Sequence, residues 1–364
     1  MSVTLNGSNG ITFNDGSSQT AAASPYVLKN RIINGDMVIS QRNGTSSVTL
    51  TTLYNTYTLD RWVGTITQAS KYSVQQNAGS VTPPAGFTNY LGVTSLSAYS
   101  VISSDVFSMS QMIEGFNIAD LAWGTANAKT ITISFWVRSS LTGTFGGSIS
   151  NSAQNRSYPF SYTISSANTW EQKTVTIPGD TSGTWLTDNG IGLRLQYSLG
   201  VGSGSLGTAN TWAASNLYAP TGSVSVVATN GATWYVTGVQ LEQNTSATPF
   251  ERRLYNQELA NCQRYFQRYS TPPLRGVVNS ATSLGRLGMT LPVVMRTTPT
   301  PTIASTLEWY DGISTGTITS IGTNYSTPAM CELDCNAATG SSAQFRVCLV
   351  YNNSTGVLNL SSEL

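Results

Sequence analysis

The chain has 364 residues, of which only 10% are charged, and its formal net charge is +1. A nearly neutral chain has no overall field to attract nucleic acid or an anionic membrane surface, and the lack of histidine excludes His-based triads and His-ligated zinc. No apolar run approaches the roughly 20 residues of a membrane span, and the first residues lack the basic and apolar regions of a signal peptide. We therefore expect a protein made in a cytoplasm, with neither a nucleic-acid partner nor membrane insertion.

The first predicted unit, residues 1–24, is poor in large apolar side chains. Only Val3, Leu5, Ile11 and Phe13 are of that kind. Such a segment buries too little surface to fold alone. It therefore needs a partner or remains loose.

Residues 25–250 carry the signal of β-strands. In the segments 131–137 and 191–197, large apolar residues occupy every second position, which is the pattern of antiparallel strands with one buried face. Turn sequences such as Pro178-Gly179-Asp180 separate the strands, and no helical interval intervenes. We predict an antiparallel β-sandwich or jelly roll, with one long Gly- and Ser-rich loop at 198–222.

Residues 251–270 break this pattern and predict one short helix. Apolar residues recur there at spacings of four, three, four and three, namely Tyr255, Leu259, Cys262, Phe266 and Tyr269. They form a seam about two heptads long. Because two heptads are too short for an independent coiled coil, the sequence alone favours packing on the neighbouring sheet over self-association.

The alternation returns in residues 271–364 and predicts a second, smaller β-sandwich domain. Cys331 and Cys335 lie in this part and flank Glu332 and Asp334. Their spacing differs from that of zinc-ribbon cysteines, and no second pair follows. We expect free, partly buried thiols rather than a metal or redox site.

The sequence gives little sign of catalysis. Its 17 acidic residues are thinly spread, and no nucleophile elbow, phosphate loop or dinucleotide fingerprint stands in its required context. The aromatic residues are more informative, since Trp136 lies on the polar phase of its strand and Trp185 and Trp212 lie beside turn-rich sequence. An exposed ring among neutral hydroxyl and amide groups suits a sugar; the alternative is that these rings lie in the core or at a subunit interface.

Five segments of the chain occur in a recognisable order. They are LKNRIINGDMVISQRNG (28–44), YTLDRWVG (57–64), ITISFWVRSS (131–140), SANTWEQKTVTIPGD (166–180) and VTGVQLEQNTSATPFERRLYNQELANCQRYF (236–266). Together they resemble a bacteriophage virion protein of the tail-fibre type, and the last segment is the most specific. The opening GITFNDGSSQTAA (10–22) is similar to fibre segments near virion-attachment regions.

The resemblance implies a homotrimer without a cofactor, with a jelly roll similar to galactose-binding-like carbohydrate-binding modules. On that basis we expect residues 1–24 to attach the protein to other virion proteins, and Trp185, Tyr197 and Trp212 to contact a host surface polysaccharide. The helical seam then meets at the trimer axis. Modules of this fold often hold calcium, but Asp36 and Glu242 do not match a metal motif tightly, so no metal site is predicted.

Two other functions stay open at this point. One is a purely structural virion component, such as a head fibre, collar or capsid-decorating protein, that binds other virion proteins and no glycan. The other is a depolymerase, against which the sparse carboxylates and the lack of a long repetitive β-helix pattern argue. We expect a tail fibre or receptor-binding protein of the virion that is not an enzyme.

Overall fold

The computed structural model describes three short strands near the N-terminus and residues 29–270, 272–278, 285–322, 326–337, 346–351 and 356–364. The three strands are β1 (Thr4–Asn6), β2 (Gly10–Thr12) and β3 (Ser18–Gln19), and they form a small antiparallel sheet. The other residues of the predicted attachment segment 1–24 lie outside the described residues. No helix in the described part of the chain is long and apolar enough to cross a lipid bilayer.

The larger unit follows, and its strands are short to medium in length. They are β4 (Val48–Thr49), β5 (Thr56–Tyr57), β6 (Val63–Ile66), β7 (Tyr72–Gln76), β8 (Leu91–Ser95), β9 (Val106–Glu114), β10 (Ile131–Ser139), β11 (Gly143–Ser150), β12 (Ser157–Ile164), β13 (Glu171–Ile177), β14 (Ile191–Val201), β15 (Leu206–Gly207), β16 (Ala219–Pro220) and β17 (Thr233–Glu242). Single 3₁₀ turns lie between them at Ala78–Ser80, Gly115–Asn117, Ala119–Leu121, Ser203–Ser205 and Val226–Ala228.

Two six-stranded antiparallel sheets face one another in this unit. The first has the order β13–β10–β17–β8–β7–β4, and the second has the order β12–β11–β14–β9–β6–β5. Their inner faces carry the alternating apolar residues, such as Phe135 on β10 and Leu195 on β14, which enclose one continuous core. The prediction of a mainly β chain with an antiparallel sandwich or jelly roll and one short α-helix is confirmed.

The remaining elements form a helix, a small sheet and a barrel. They are α1 (Tyr255–Gln263), β18 (Phe266–Tyr269), β19 (Arg275–Val277), β20 (Arg286–Thr290), β21 (Thr300–Ser305), β22 (Leu307–Tyr310), β23 (Thr315–Gly322), β24 (Met330–Ala337), β25 (Val347–Tyr351) and β26 (Val357–Ser361). Strands β18, β26 and β21 make a three-stranded sheet, whereas β19, β20, β24, β23, β22 and β25 close into a barrel. Trp309 and Leu333 belong to their shared apolar core, which is separate from that of the sandwich.

The helix is shorter than the sequence predicts. It ends at Gln263, and Phe266 and Tyr269 lie on β18, which pairs with β26. Phe266 is 4% exposed, and the Arg42 guanidinium lies 3.6 Å from the centre of its ring. A helical trimer seam through Phe266 and Tyr269 is therefore wrong, because strand pairing removes both residues from the helix.

The other seam residues also differ from one another. Cys262 has no exposed surface, Leu259 is half-buried, and Tyr255 is 64% exposed. The prediction of Cys262 as a trimer contact is wrong, because its side chain is enclosed by its own chain. Tyr255 and Leu259 stay predictions as trimer contacts.

Ion pairs join the segment after the sandwich to the sandwich itself. Arg61, 1% exposed, contacts Glu363 through Nη1, and its guanidinium lies 3.6 Å from the centre of the Tyr265 ring. Arg264 donates to both carboxylate oxygens of Glu114, at 2.9 and 2.6 Å. The predicted connecting helix at 251–270 is thus packed into the fold.

Candidate functional site

Two of the predicted glycan contacts, Trp185 and Trp212, pack against each other and against Trp123. The ring centroids lie 4.7, 5.5 and 5.7 Å apart with edge-to-face geometry. Each indole N–H donates to a backbone carbonyl of a nearby loop. Trp185 is 7% exposed and Trp212 is half-buried. The three rings therefore pack the loops that carry them against one another. The prediction of Trp185 as a glycan contact is wrong, because its ring is enclosed.

The third predicted contact, Tyr197, lies in the core of the sandwich. Its side chain has no exposed surface, and its ring lies 5.1 Å from that of Phe135 and 5.4 Å from that of Trp234. Burial raises the pKa of Tyr197 well above its ordinary value. The prediction of Tyr197 as a glycan contact is therefore wrong: on β14 it shares the inward face with Leu193 and Leu195.

The segments that carry the sequence resemblance meet in a buried hydrogen-bond network. The Asn34 side chain donates to the Asp60 carbonyl at 3.0 Å, and the Trp62 indole donates to the Asn34 carbonyl at 3.0 Å. The Asn30 side chain donates to the Val239 carbonyl at 3.1 Å and so joins the first segment to β17. These polar groups find partners in their own chain. These motif residues therefore hold the fold together.

The acidic residues considered for calcium make separate contacts. Glu242 is 2% exposed and accepts hydrogen bonds from Gln240 and from the backbone and side chain of Thr248. Asp36 lines a pocket of about 100 Å³ with Glu258. Burial, followed by the charge of Glu258, raises the pKa of Asp36. The described residues contain no group of three or more Cys, Asp or Glu side chains placed to hold a metal ion.

A groove of about 440 Å³ lies on the outer face of the second sheet. Strands β6, β9 and β14 supply its floor, and loop residues near 54, 154 and 216–218 supply its walls. Its lining residues are Tyr54, Asn55, Thr65, Ser110, Met112, Gln154, Arg194, Gln196, Asn216 and Tyr218. Strand register fixes the floor, because Arg194 lies opposite Met112 and Gln196 lies opposite Ser110.

Neutral hydrogen-bonding groups dominate this groove. The Gln196 amide donates to Ser150 Oγ at 3.0 Å on the neighbouring strand β11. Asn216 Nδ2 donates to Gln154 Oε1 at 3.3 Å, whereas Asn216 Oδ1 is enclosed without a partner in the described part of the chain. A buried polar atom without a partner costs free energy. The amide and hydroxyl groups that line the groove suit a ligand that carries hydroxyl groups.

Arg194 is the one charged residue among those that line the groove. Its Nη1 lies 3.5 Å from Met112 Sδ, a weak acceptor, and its Nε is enclosed without a partner in the described residues. Burial lowers the pKa of the Arg194 guanidinium, and Tyr218 and Tyr57 oppose part of that effect. The groove thus holds a cation beside amides and hydroxyls.

Comparison with known proteins gives similarity at the level of structure alone. No family model matches the chain, and no curated protein matches it. The enzymatically active domain of tailspike protein 4 of bacteriophage CBA120 has 12% identity and a TM-score of 0.33 over 61% of this chain, which spans only 22% of the tailspike chain. A family 11 carbohydrate-binding module of Clostridium thermocellum, solved with a mixed-linked tetrasaccharide, has 15% identity and a TM-score of 0.27 over 56% of this chain and 100% of its own. At such TM-scores the similarity identifies neither a ligand nor an activity.

The groove was not predicted, although the sequence contains one signal for it. Arg194 and Gln196 occupy the polar phase of the strand whose apolar phase contains Leu195 and Tyr197. Asn216 and Tyr218 come from the predicted long loop at 198–222, and their position follows only from the fold.

Proposed function

We propose that this protein is a non-enzymatic bacteriophage virion protein that binds a host surface glycan in the groove on its second sheet. The observation that carries the proposal is the composition of the groove. Amide, hydroxyl and phenol groups line it, and strand pairing holds those of its floor in place. Its volume of about 440 Å³ lies in the range of small-molecule sites, roughly 300–1,000 Å³.

The chemistry of the groove matches that of sugars. A sugar ring presents hydroxyl groups that both donate and accept hydrogen bonds, and amides such as Gln196 and Asn216 do the same. Tyr54 and Tyr218 add aromatic surface at the walls, against which the C–H face of a sugar ring packs. Tyr54 is 65% exposed, so its ring is accessible to a long polysaccharide.

The sequence resemblance supports a place for the protein in the virion, as a tail fibre or receptor-binding protein. In this proposal residues 1–24 attach it to other virion proteins, and three copies assemble into a homotrimer. Linking three weak sites raises the overall affinity, because the second and third contacts become intramolecular. Light scattering of the purified chain tests the trimer: we expect three times the chain mass, and a monomer mass contradicts it.

Binding of purified bacterial surface polysaccharides to the immobilised full chain tests the glycan site. We expect Gln196→Ala to weaken binding about 2- to 10-fold, since a lost neutral hydrogen bond contributes about 0.5–1.5 kcal/mol. The control is Gln172→Ala, which changes an exposed glutamine on the first sheet. Equal effects of the two variants contradict the groove as the site. Release of reducing ends from a bound polysaccharide contradicts the non-enzymatic part of the proposal.

A purely structural virion component is the second candidate, and one observation favours it. Val277 and Val347 are paired on adjacent barrel strands and are 43% and 72% exposed, and Leu349 on the same outer face is 36% exposed. Contiguous exposed apolar groups mark contacts with protein. Absence of binding to every polysaccharide, with a mass that falls in Val347→Lys, supports this second function.

A further inference from the structure

The groove on the second sheet contains an arginine without a counter-ion. Several arginines elsewhere in the fold pair with carboxylates, as Arg61 does with Glu363, Arg156 with Asp180 and Arg264 with Glu114. Arg194 has no such pair among the described residues, and no acidic residue lines the groove. The groove therefore carries a net positive charge in a protein that is otherwise nearly neutral.

The surroundings of Arg194 leave its donors unused. The Nε–H is enclosed without an acceptor, and the nearest contact of Nη1 is the Met112 sulfur at 3.5 Å. Withdrawing a guanidinium from water without an anionic partner costs free energy. An anion in the groove that accepts hydrogen bonds from the Nη groups of Arg194 recovers part of that free energy on binding.

Among anions, the shape of the Arg194 guanidinium favours a planar one. A guanidinium donates two parallel hydrogen bonds to a carboxylate, a geometry that neither a hydroxyl nor a lysine ammonium reproduces. Across the strands, Ser150 lies opposite Arg194 on one side and Met112 lies opposite it on the other. Gln196 follows on the same face and presents amide groups to the hydroxyls of the same or the next sugar.

We propose that the groove selects acidic glycans, and that the Arg194 guanidinium binds a carboxylate of a uronic or sialic acid residue. This inference rests on the proposed glycan function and specifies its ligand class. Neutral groups of the groove hold the sugar hydroxyls, whereas Arg194 distinguishes a charged sugar from its uncharged counterpart.

The test compares each acidic polymer with the same polymer after its carboxyl groups are reduced to alcohols. The probes are polygalacturonate, hyaluronate and polysialic acid, and binding to the full chain is measured by biolayer interferometry. For the polymers that bind, we expect the reduced form to bind about 10- to 100-fold more weakly, because a charge-assisted hydrogen bond contributes about 1.5–3 kcal/mol. Binding of the acidic form falls as salt increases, and binding of the reduced form does not.

Two arginine variants assign the effect to one residue. Arg194→Gln lowers affinity for the acidic form to that for the reduced form, and Arg194→Lys restores part of the difference through charge alone. The matched control is Arg138→Gln on the first sheet, which is half-buried and also has no carboxylate partner among the described residues. We expect this control to bind like the unmodified chain.

The outcomes separate the inference from the function on which it rests. Equal affinity for acidic and reduced forms, with no effect of Arg194→Gln, overturns the acidic-glycan inference and leaves glycan binding intact. If Arg194→Gln still prefers the acidic polymer to the reduced one, the acidic-glycan inference is also overturned, because another residue then binds the carboxylate. Absence of binding to all six preparations overturns the acidic-glycan inference, and the binding of bacterial surface polysaccharides then decides the proposed function separately. Sulfated dextran binding more tightly than every carboxylated polymer overturns the choice of a carboxylate.

Discussion

The Tyr265 hydroxyl donates a 2.6 Å hydrogen bond to Glu114 Oε2, and so ties the chain after α1 to the last residue of β9. Glu114 is 1% exposed and also accepts two hydrogen bonds from Arg264. A buried carboxylate is tolerated because three donors satisfy it. The sandwich and the C-terminal elements are therefore joined by a buried polar contact. The pattern of strands in the sequence does not predict this contact.

Removing the Tyr265 hydroxyl measures how much its hydrogen bond to Glu114 contributes to stability. We expect Tyr265→Phe to lower the free energy of unfolding by about 1.5–3 kcal/mol, because the lost hydrogen bond goes to a charged group. Urea unfolding followed by fluorescence gives the value. Tyr255→Phe is the control, since Tyr255 is 64% exposed. If Tyr265→Phe lowers the free energy of unfolding no more than Tyr255→Phe does, the prediction is wrong and water replaces the lost hydroxyl.

Glu114 also gives stability a dependence on pH. Burial alone raises the pKa of Glu114, but hydrogen bonds from Arg264 and Tyr265 outweigh it, so the pKa lies below its ordinary value of 4.5. A carboxyl group with a lowered pKa stabilises the fold fully above its unfolded pKa, and that contribution is lost as pH falls through the folded value. We expect the destabilisation by Glu114→Gln to be largest near neutral pH and to shrink below about pH 4.5.

Urea unfolding of the unmodified chain and of Glu114→Gln between neutral pH and about pH 3 checks this pH dependence. The raised pKa values of Asp36 and Asp60, which burial causes first, favour folding on acidification. Both residues are present in both proteins, so their contribution cancels in the difference. A difference that stays constant over this range contradicts the prediction.

Glu363 neutralises Arg61, one of the most deeply buried cations of the described chain. We expect Glu363→Gln to cost about 3–5 kcal/mol, because removal of one partner leaves an uncompensated buried charge. Asp120→Asn, which disrupts the more exposed pair with Arg31, is the matched control and costs about 0–1 kcal/mol. Both values come from chemical denaturation. Similar values for the two variants mean that water reaches Arg61.

The tryptophan cluster predicts a loss of stability rather than of binding. Trp185→Ala removes a 7%-exposed ring from its contacts with Trp123 and Trp212. We expect a cost of about 3–5 kcal/mol, as for other buried aromatic truncations. Trp136→Ala, at a half-buried ring on the opposite sheet, serves as control and costs less. Weaker glycan binding by folded Trp185→Ala protein contradicts the assignment of this cluster to packing.

The cysteine thiols are predicted to be inert in the folded protein. All four are free and buried, and burial raises the pKa of Cys331 and Cys348 to about 11 and of Cys335 to about 12. The thiolate is the reactive form, so reaction with a disulfide reagent at about pH 8 requires unfolding. Val347→Cys supplies an exposed control, since Val347 is 72% exposed. Rapid labelling of the unmodified native chain contradicts the burial of these thiols.

Hydrophobic alternation predicted the sandwich because each sheet has one face against the core. It also indicated that Tyr197 faces inward, since Leu193 and Leu195 share its phase. The prediction of glycan contacts relied instead on aromatic residues beside turn-rich sequence. A position near a turn does not show whether a ring is exposed or packed. Trp185 is enclosed by Trp123 and Trp212, which come from other loops. Which loops pack together depends on the whole fold, so the local sequence does not show it.

The helix boundary was missed for a related physical reason. Apolar residues at spacings of four and three continue from Tyr255 to Tyr269, and this pattern favours one helix. The chain leaves the helix after Gln263 because β18 pairs with β26, about 90 residues later in sequence. The groove depends on similar long-range pairing, since β9 and β14 place Met112 beside Arg194.

The Arg61–Glu363 contact has a consequence for how the protein is made. The two residues are 302 positions apart in the chain. At a synthesis rate of about 5–20 residues per second, Arg61 waits on the order of half a minute for its partner. Until residue 363 emerges, Arg61 lacks the carboxylate that neutralises it in the folded protein. The polar contacts of the sandwich are therefore completed late in synthesis, although nearly all of its strands are synthesised first.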